Sequence, residues 1–170
     1  MKLLIEKMPN LQALYVKELR LLLSAEEMIG IKSPIMAEAA DDPELNQAFR
    51  RDVEEAHEHV SRLREILHRA TGAADPLKCR VVYSLFDEVE DLSQDAASRL
   101  AVRDAALIAE AQRIEHYQIA AYGALRQFAR TLGHDEDLRL LEQTYLEEER
   151  ADRELAAIGE RVYPAALNAA

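Results

Sequence analysis

Apolar residues recur along the chain at steps of three and four, the spacing of one face of an α-helix, and the pattern divides into six helical segments. The first, over 9–32, carries Leu11, Tyr15, Leu19, Leu22 and Ile29 on one stripe, with Glu26 at the step between Leu22 and Ile29. Gly30 and Ser33-Pro34 predict a break, then a short helix over 34–40 with Ser33 as its cap and Pro34 at its first position. Asp41-Asp42-Pro43-Glu44 is a second start signal. It opens a helix over 43–70 with the stripe Leu45, Phe49, Val53, Ala56, Val60, Leu63 and Leu67, stopped by Thr71-Gly72. Asp75-Pro76 opens a shorter helix over 76–94, whose apolar side is Val82, Leu85, Val89 and Leu92. The helix over 99–132 has two apolar stripes, one with Leu107, Ala111, Ile114, Ala121 and Leu125, the other with Ala101, Ile108, Ile119 and Tyr122. Gln118 interrupts the first and Glu115 the second. After Gly133, Asp135 caps a last helix over 135–162, which Pro164 and an Ala-rich tail end. The expected fold is all-α: one domain over 1–170, a four-helix bundle of two helix pairs linked by an extra short helix.

The interruptions carry the chemistry. The last helix runs Leu138, Leu141, Tyr145, then Glu148 and Asp152, then Leu155, Gly159 and Val162, so two consecutive steps of its seam are acidic. On the second long helix Asp52 and His59 lie on one shoulder of the stripe, with Glu55 a little further round. Glu54 and His57 have carboxylate-histidine metal spacing, but lie on the other side among Arg50 and Arg64, so the Glu55/His59 shoulder is preferred. A buried carboxylate is costly unless paired, protonated or bound to a cation. Glu26, Asp52, Glu55, Glu115, Glu148 and Asp152 all fall near mid-helix, and an antiparallel bundle brings them to one level. One carboxylate from each of two helices, plus a carboxylate and a histidine from each of the others, is the di-iron or di-manganese pattern. Oxygen-rich ligation with one or two imidazoles suits Fe(II) or Mn(II). Weighed singly, an acid on a core stripe is more often paired with a nearby arginine. His116 points away from Glu115 and reads as a packed or supporting residue, and the tyrosines read as core.

Composition narrows the partners. A net charge of −11 argues against nucleic acid and anionic membranes. No apolar run approaches the roughly 20 residues that span a bilayer, and Leu3-Leu4-Ile5 is too short for a signal-peptide core. The single Cys79 excludes an internal disulfide and a cysteine zinc site, and fits a reducing cytoplasm.

Four stretches, ALYVKELRLLLSAEE, ELNQAFRRDVEEAHEHVSRL, RDAALIAEAQRIEHYQIAAYGALR and LGHDEDLRLLEQTYLEEERADREL, together resemble the YciE/YciF-type ferritin-like stress proteins. The resemblance covers nearly the whole chain. It implies a rubrerythrin-like bundle, a cytoplasmic homodimer, a link to stress responses, and a dinuclear iron or manganese site. By the same resemblance Glu26, Glu55, Glu115, Glu148 and Asp152 take over the family's acidic ligands, and His59 stands where the family has Gln or His. Two positions depart: Asp52 replaces a usual His, and Gln118 replaces a usual Glu, which makes one ion the alternative to two. Tyr83 also replaces a common Glu in the short helix. The expected function is oxygen or peroxide chemistry at that site, ferroxidase or catalase-like. The alternative is a metal-poor structural or interaction bundle that keeps its acids as a hydrogen-bonded network.

Overall fold

The computed structural model describes residues 8–167, so the Leu3-Leu4-Ile5 reading lies outside the described residues. Five helices follow in order: α1 Leu11–Ala39, α2 Pro43–Thr71, α3 Arg80–Asp95, α4 Leu100–Leu132 and α5 Asp135–Leu167. The predicted starts and stops act through local chemistry. Asp42 caps α2 by accepting the N–H groups of Glu44 and Leu45, with Pro43 in the first turn. Gly72 and Gly133 close α2 and α4 in the left-handed conformation, with φ of 76° and 74°, where a side chain would be strained.

Three boundaries differ from the sequence reading. The first helix continues through Ser33-Pro34 to Ala39, so no separate helix forms over 34–40. Pro34 lies on the exposed side of α1, where a carbonyl deprived of its donor can be hydrated, while Ser33, Met36 and Ala37 are buried and hold the turn in place. The third helix begins at Arg80 rather than at 76, because the preceding segment bonds to α1 instead of to itself. Leu77 N–H donates to Arg20 O, Cys79 N–H to Ser24 Oγ, and Arg20 Nε to Asp75 O. The last helix runs through the exposed Pro164 to Leu167.

The long helices form a square. α1 packs on α2 and α4, and α5 packs on α2 and α4, while α3 lies against α4 and α1. Contacts at the ends set directions. Tyr15 and Gln12, at the start of α1, meet Asp137 and His134 at the α4–α5 turn. At the other end Asp104 of α4 accepts the N–H groups of Asp41 and Asp42 between α1 and α2. Neighbouring helices are therefore antiparallel and α2 is parallel to α4, which is why a crossover carrying α3 must travel the length of the bundle.

The seams follow a 3.5-residue repeat. Tyr15, Leu19, Leu22, Glu26, Ile29, Ser33 and Met36 are buried along α1. On α2 the steps run Leu45, Phe49, Asp52, Ala56, His59, Leu63 and Ile66, so Asp52 and His59 take the inner places assigned to Val53 and Val60. On α5 they run Asp137, Leu141, Thr144, Glu148, Ala151, Leu155, Ile158 and Val162, which puts Ala151, not Asp152, on the inner line. Among the described residues no helix is long and apolar enough to cross a membrane.

Candidate metal centre

The repeat delivers one polar level to the middle of each long helix. Glu26 from α1, His59 from α2, Glu115 and Gln118 from α4 and Glu148 from α5 are all nearly inaccessible to solvent. Tyr122, one turn beyond Gln118, is buried beside them and meets the His59 ring edge-on at 6.2 Å.

His59 organises the cluster. Its Nε2 lies 3.0 Å from Glu147 Oε2, and Glu147 is in turn gripped by the Arg62 guanidinium, which also donates to Thr144 Oγ1 at 3.0 Å. The other ring nitrogen, Nδ1, faces inward, 3.2 Å from Glu148 Oε1 and 3.5 Å from Glu26 Oε2. Neither contact has hydrogen-bond geometry, and His59 Nδ1 and Glu26 Oε2 are both buried without a partner. Glu26 Oε1, by contrast, accepts from Tyr122 Oη at 2.8 Å and from Gln118 Nε2 at 3.1 Å, and the same Gln118 nitrogen donates to Glu148 Oε1 at 2.7 Å.

Beside this trio lie two further acids. Ser33 Oγ donates to Asp52 Oδ2 at 2.7 Å, and Glu115 leaves its Oε2 without a partner. Burial pushes Asp52 up to about 6 against the opposing Ser33 hydrogen bond, with Glu26 adding repulsion. Burial and then Glu26 push Glu148 up to about 7. Glu115 is held well above the ordinary carboxylate range by burial and by its neighbours Glu148 and Asp52. For His59, burial acts downward, but the charge of Glu26, the Glu147 hydrogen bond and the close approach of Glu148 overcome it and raise the ring to about 12. Glu147 sits low, at about 2, because the His59 and Arg62 hydrogen bonds outweigh its partial burial.

Two predicted ligands stand apart from this group. Glu55 turns outward into an ion pair with Arg150. Asp152 faces α4, where Gln112 donates to it at 3.2 Å and His116 approaches at 3.3 Å. The reason is the seam: one position past Ala151 points Asp152 at the groove between helices rather than at the bundle axis. Glu54 and His57 are exposed, whereas His59 is buried with Asp52 beside it. Sequence reasoning missed the part played by Glu147, whose only signal is its adjacency to Glu148. It also treated Gln118 as a lost carboxylate rather than as a donor to two others.

The carboxylates of Glu26 and Glu148 and an imidazole nitrogen of His59 offer three donor atoms within 4.8 Å of one another. Ligands side by side on an octahedral cation stand roughly 3 Å apart, close to the His59 spacings. A cation here would give Glu26 Oε2 and His59 Nδ1 the partner they lack, so the residues fit a single ion. With a cation in place of the Nδ1 proton, Glu147 on the far nitrogen would hold the proton left on Nε2, the usual support of a metal-bound histidine.

A cavity of about 30 Å³ adjoins the centre, with Asp52 and Glu115 in its wall among Met36, Phe49, Ile114 and Leu155. The Arg51–Glu154 and Arg150–Glu55 pairs, both part-exposed, close its outer side between α2 and α5.

Comparison with known proteins agrees with this architecture. The DUF892 family, described as a domain of unknown function, matches residues 10–168. Protein YciF of Escherichia coli K12 is 36% identical over 129 residues, 75% of this chain and 76% of that protein. The crystal structure of the E. coli stress protein YciF superposes with a TM-score of 0.87 at 30% identity, covering 92% of this chain and 99% of that one. YcfI of Rhodopseudomonas palustris, whose description proposes a structural role, gives a TM-score of 0.84 at 29% identity over 91% and 98% of the two chains.

Proposed function

This chain belongs to the DUF892 family, and we propose that it is a stress-associated, ferritin-like protein whose bundle holds Fe(II) or Mn(II) for oxidant handling. One observation carries the reading. Glu26, His59 and Glu148 converge from three helices, and their inward atoms Glu26 Oε2 and His59 Nδ1 are buried without a hydrogen bond. A purely structural cluster has no use for unpaired buried polar atoms, each of which costs on the order of 1–3 kcal/mol.

Each residue has a definable task. Glu26 and Glu148 supply carboxylate oxygens, and His59 supplies Nδ1 while Glu147 and Arg62 hold the ring from behind. Tyr122 and Gln118 fix the Glu26 carboxylate by its Oε1, which turns Oε2 inward. Glu115 and Asp52, raised acids on the cavity wall, are placed to give or take a proton next to the centre. The small cavity, lined by both apolar and charged residues, suits a compact molecule such as dioxygen or hydrogen peroxide better than an organic substrate. When bound, a redox-active ion would supply an electron source with an open position for that oxidant. Exposed Ile31 and Ile35, one turn apart on α1, support the homodimer as its assembly.

The competing reading is a metal-free structural bundle, favoured by Gln118, which already bridges Glu26 and Glu148. Loading the purified chain with Fe(II) under argon, then admitting oxygen or peroxide, separates the two. The proposal expects iron oxidation faster than in buffer and lost in Glu148→Ala. Oxidation at the buffer rate in both proteins would favour the structural bundle.

A further inference from the structure

We infer that the centre takes one ion per chain, and that the Gln118 carboxamide occupies the place of a second. The inference rests on the metal reading above and concerns its stoichiometry. Two cations share a site by sharing carboxylates, each bridging acid giving one oxygen to each ion. In this bundle the two candidate bridges are Glu26 and Glu148, which enter from α1 and α5 with Gln118 of α4 beside both. The Gln118 Nε2 group has two hydrogens, and they are spent on Glu26 Oε1 at 3.1 Å and Glu148 Oε1 at 2.7 Å. Tyr122 Oη adds a further donor to Glu26 Oε1 at 2.8 Å.

The orientation of the amide follows from its partners, since both are carboxylate oxygens and an amide nitrogen is the end that donates. That nitrogen has no free lone pair for a metal and keeps its hydrogens at neutral pH. It therefore acts as a fixed, neutral substitute for a bridging cation. It satisfies one oxygen of each acid, and Glu26 Oε2, His59 Nδ1, Glu115 Oε2 and Gln118 Oε1 stay without a hydrogen bond. The remaining acids do not assemble a second set. Asp52 is held by Ser33, and among the described residues Glu26, His59 and Glu148 form the only group of three or more donor residues close enough to share an ion. Charge agrees with the count, because one divalent ion balances the two carboxylates of that trio.

The test is anaerobic titration of the full chain with Mn(II), followed by removal of free metal, elemental analysis and electron paramagnetic resonance. The wild type is expected to retain one manganese per chain with the spectrum of an isolated ion. Gln118→Glu places a carboxylate in nearly the same volume, and is expected to retain two with an exchange-coupled spectrum. Two coupled ions in the wild type would overturn the inference and leave the metal reading standing. A Gln118→Glu protein that stays at one ion would overturn the role assigned to the amide. If that variant does not fold, the wild-type spectrum decides, isolated for the inference and coupled against it. No retained ion at all would overturn the metal reading and this inference with it.

Discussion

Two buried acidic clusters in one bundle are built on opposite principles. At the end where α1 meets the α4–α5 turn, Asp137 is buried yet fully matched. Its Oδ1 accepts from Arg69 Nε at 3.2 Å and Nη2 at 2.8 Å, and its Oδ2 accepts from Tyr15 Oη at 3.0 Å. In the middle, Glu26, Asp52, Glu115 and Glu148 share a single imidazole, and four polar atoms of Glu26, His59, Glu115 and Gln118 have no partner. The difference is one of reach. An arginine near a helix end can keep its guanidinium partly in water while its tip touches a buried acid, as the part-exposed Arg69 does. At mid-bundle the nearby Arg62 stops at Glu147 on the rim, so the four inner acids have only the His59 ring as a counter-charge. A structural acid comes with its counter-charge, whereas surplus acids at the centre mark a place for an external one.

The comparison is most sharply broken by metal. With Mn(II) at about a hundred times its dissociation constant and no oxygen, the wild type should gain about 2.7 kcal/mol by mass action, read as a rise in melting temperature. Glu148→Ala should abolish the gain, and Asp137→Ala should keep it. A rise preserved in Glu148→Ala would mean that the ion binds elsewhere.

Without metal the order reverses. Asp137→Ala is expected to cost about 2 kcal/mol, between the values for exposed and buried pairs because Arg69 can turn to solvent. Glu148→Gln removes a surplus acid and is expected to leave the metal-free chain at least as stable as wild type at pH 8. Denaturant unfolding of both variants measures the contrast, and equal losses would erase it.

The pH dependence follows from the same surplus. An acid raised in the fold binds its proton more tightly there than when unfolded, so its contribution is lost as pH climbs from the ordinary carboxylate range through its native value. That window ends at about 7 for Glu148 and about 6 for Asp52. His59, raised to about 12, contributes fully below its unfolded value near 6.5 and progressively less above it. Glu147, depressed to about 2, loses its contribution only in strong acid and is constant across this range. The metal-free protein should therefore be less stable at pH 8 than at pH 6, and saturating divalent metal should flatten the slope. Stability that climbs over this interval would show the inner acids to be solvated.

The smallest expected effect is at Tyr15→Phe, which removes one donor to Asp137 and should cost about 1 kcal/mol with or without metal.

What the sequence determined by itself is local. Asp42-Pro43 starts α2, and Gly72 and Gly133 stop α2 and α4, because caps act through neighbouring backbone groups. Glu26 and Glu148 are legible as inner acids because each lies on the core stripe of its helix, and Glu115 because it interrupts the second apolar stripe of α4. At other steps two adjacent residues straddle the stripe, as Asp52 and Val53 do, or Ala151 and Asp152. At about 100° per residue the helix alone does not choose between them. The neighbouring helices make that choice, turning Asp52 and His59 inward, Glu55 towards Arg150 and Asp152 towards Gln112. The same tertiary contacts carry α1 through Pro34 and hold the chain over 75–79 against α1. They also give Gln118 its two acids, a relation between three helices that no stretch of one chain contains.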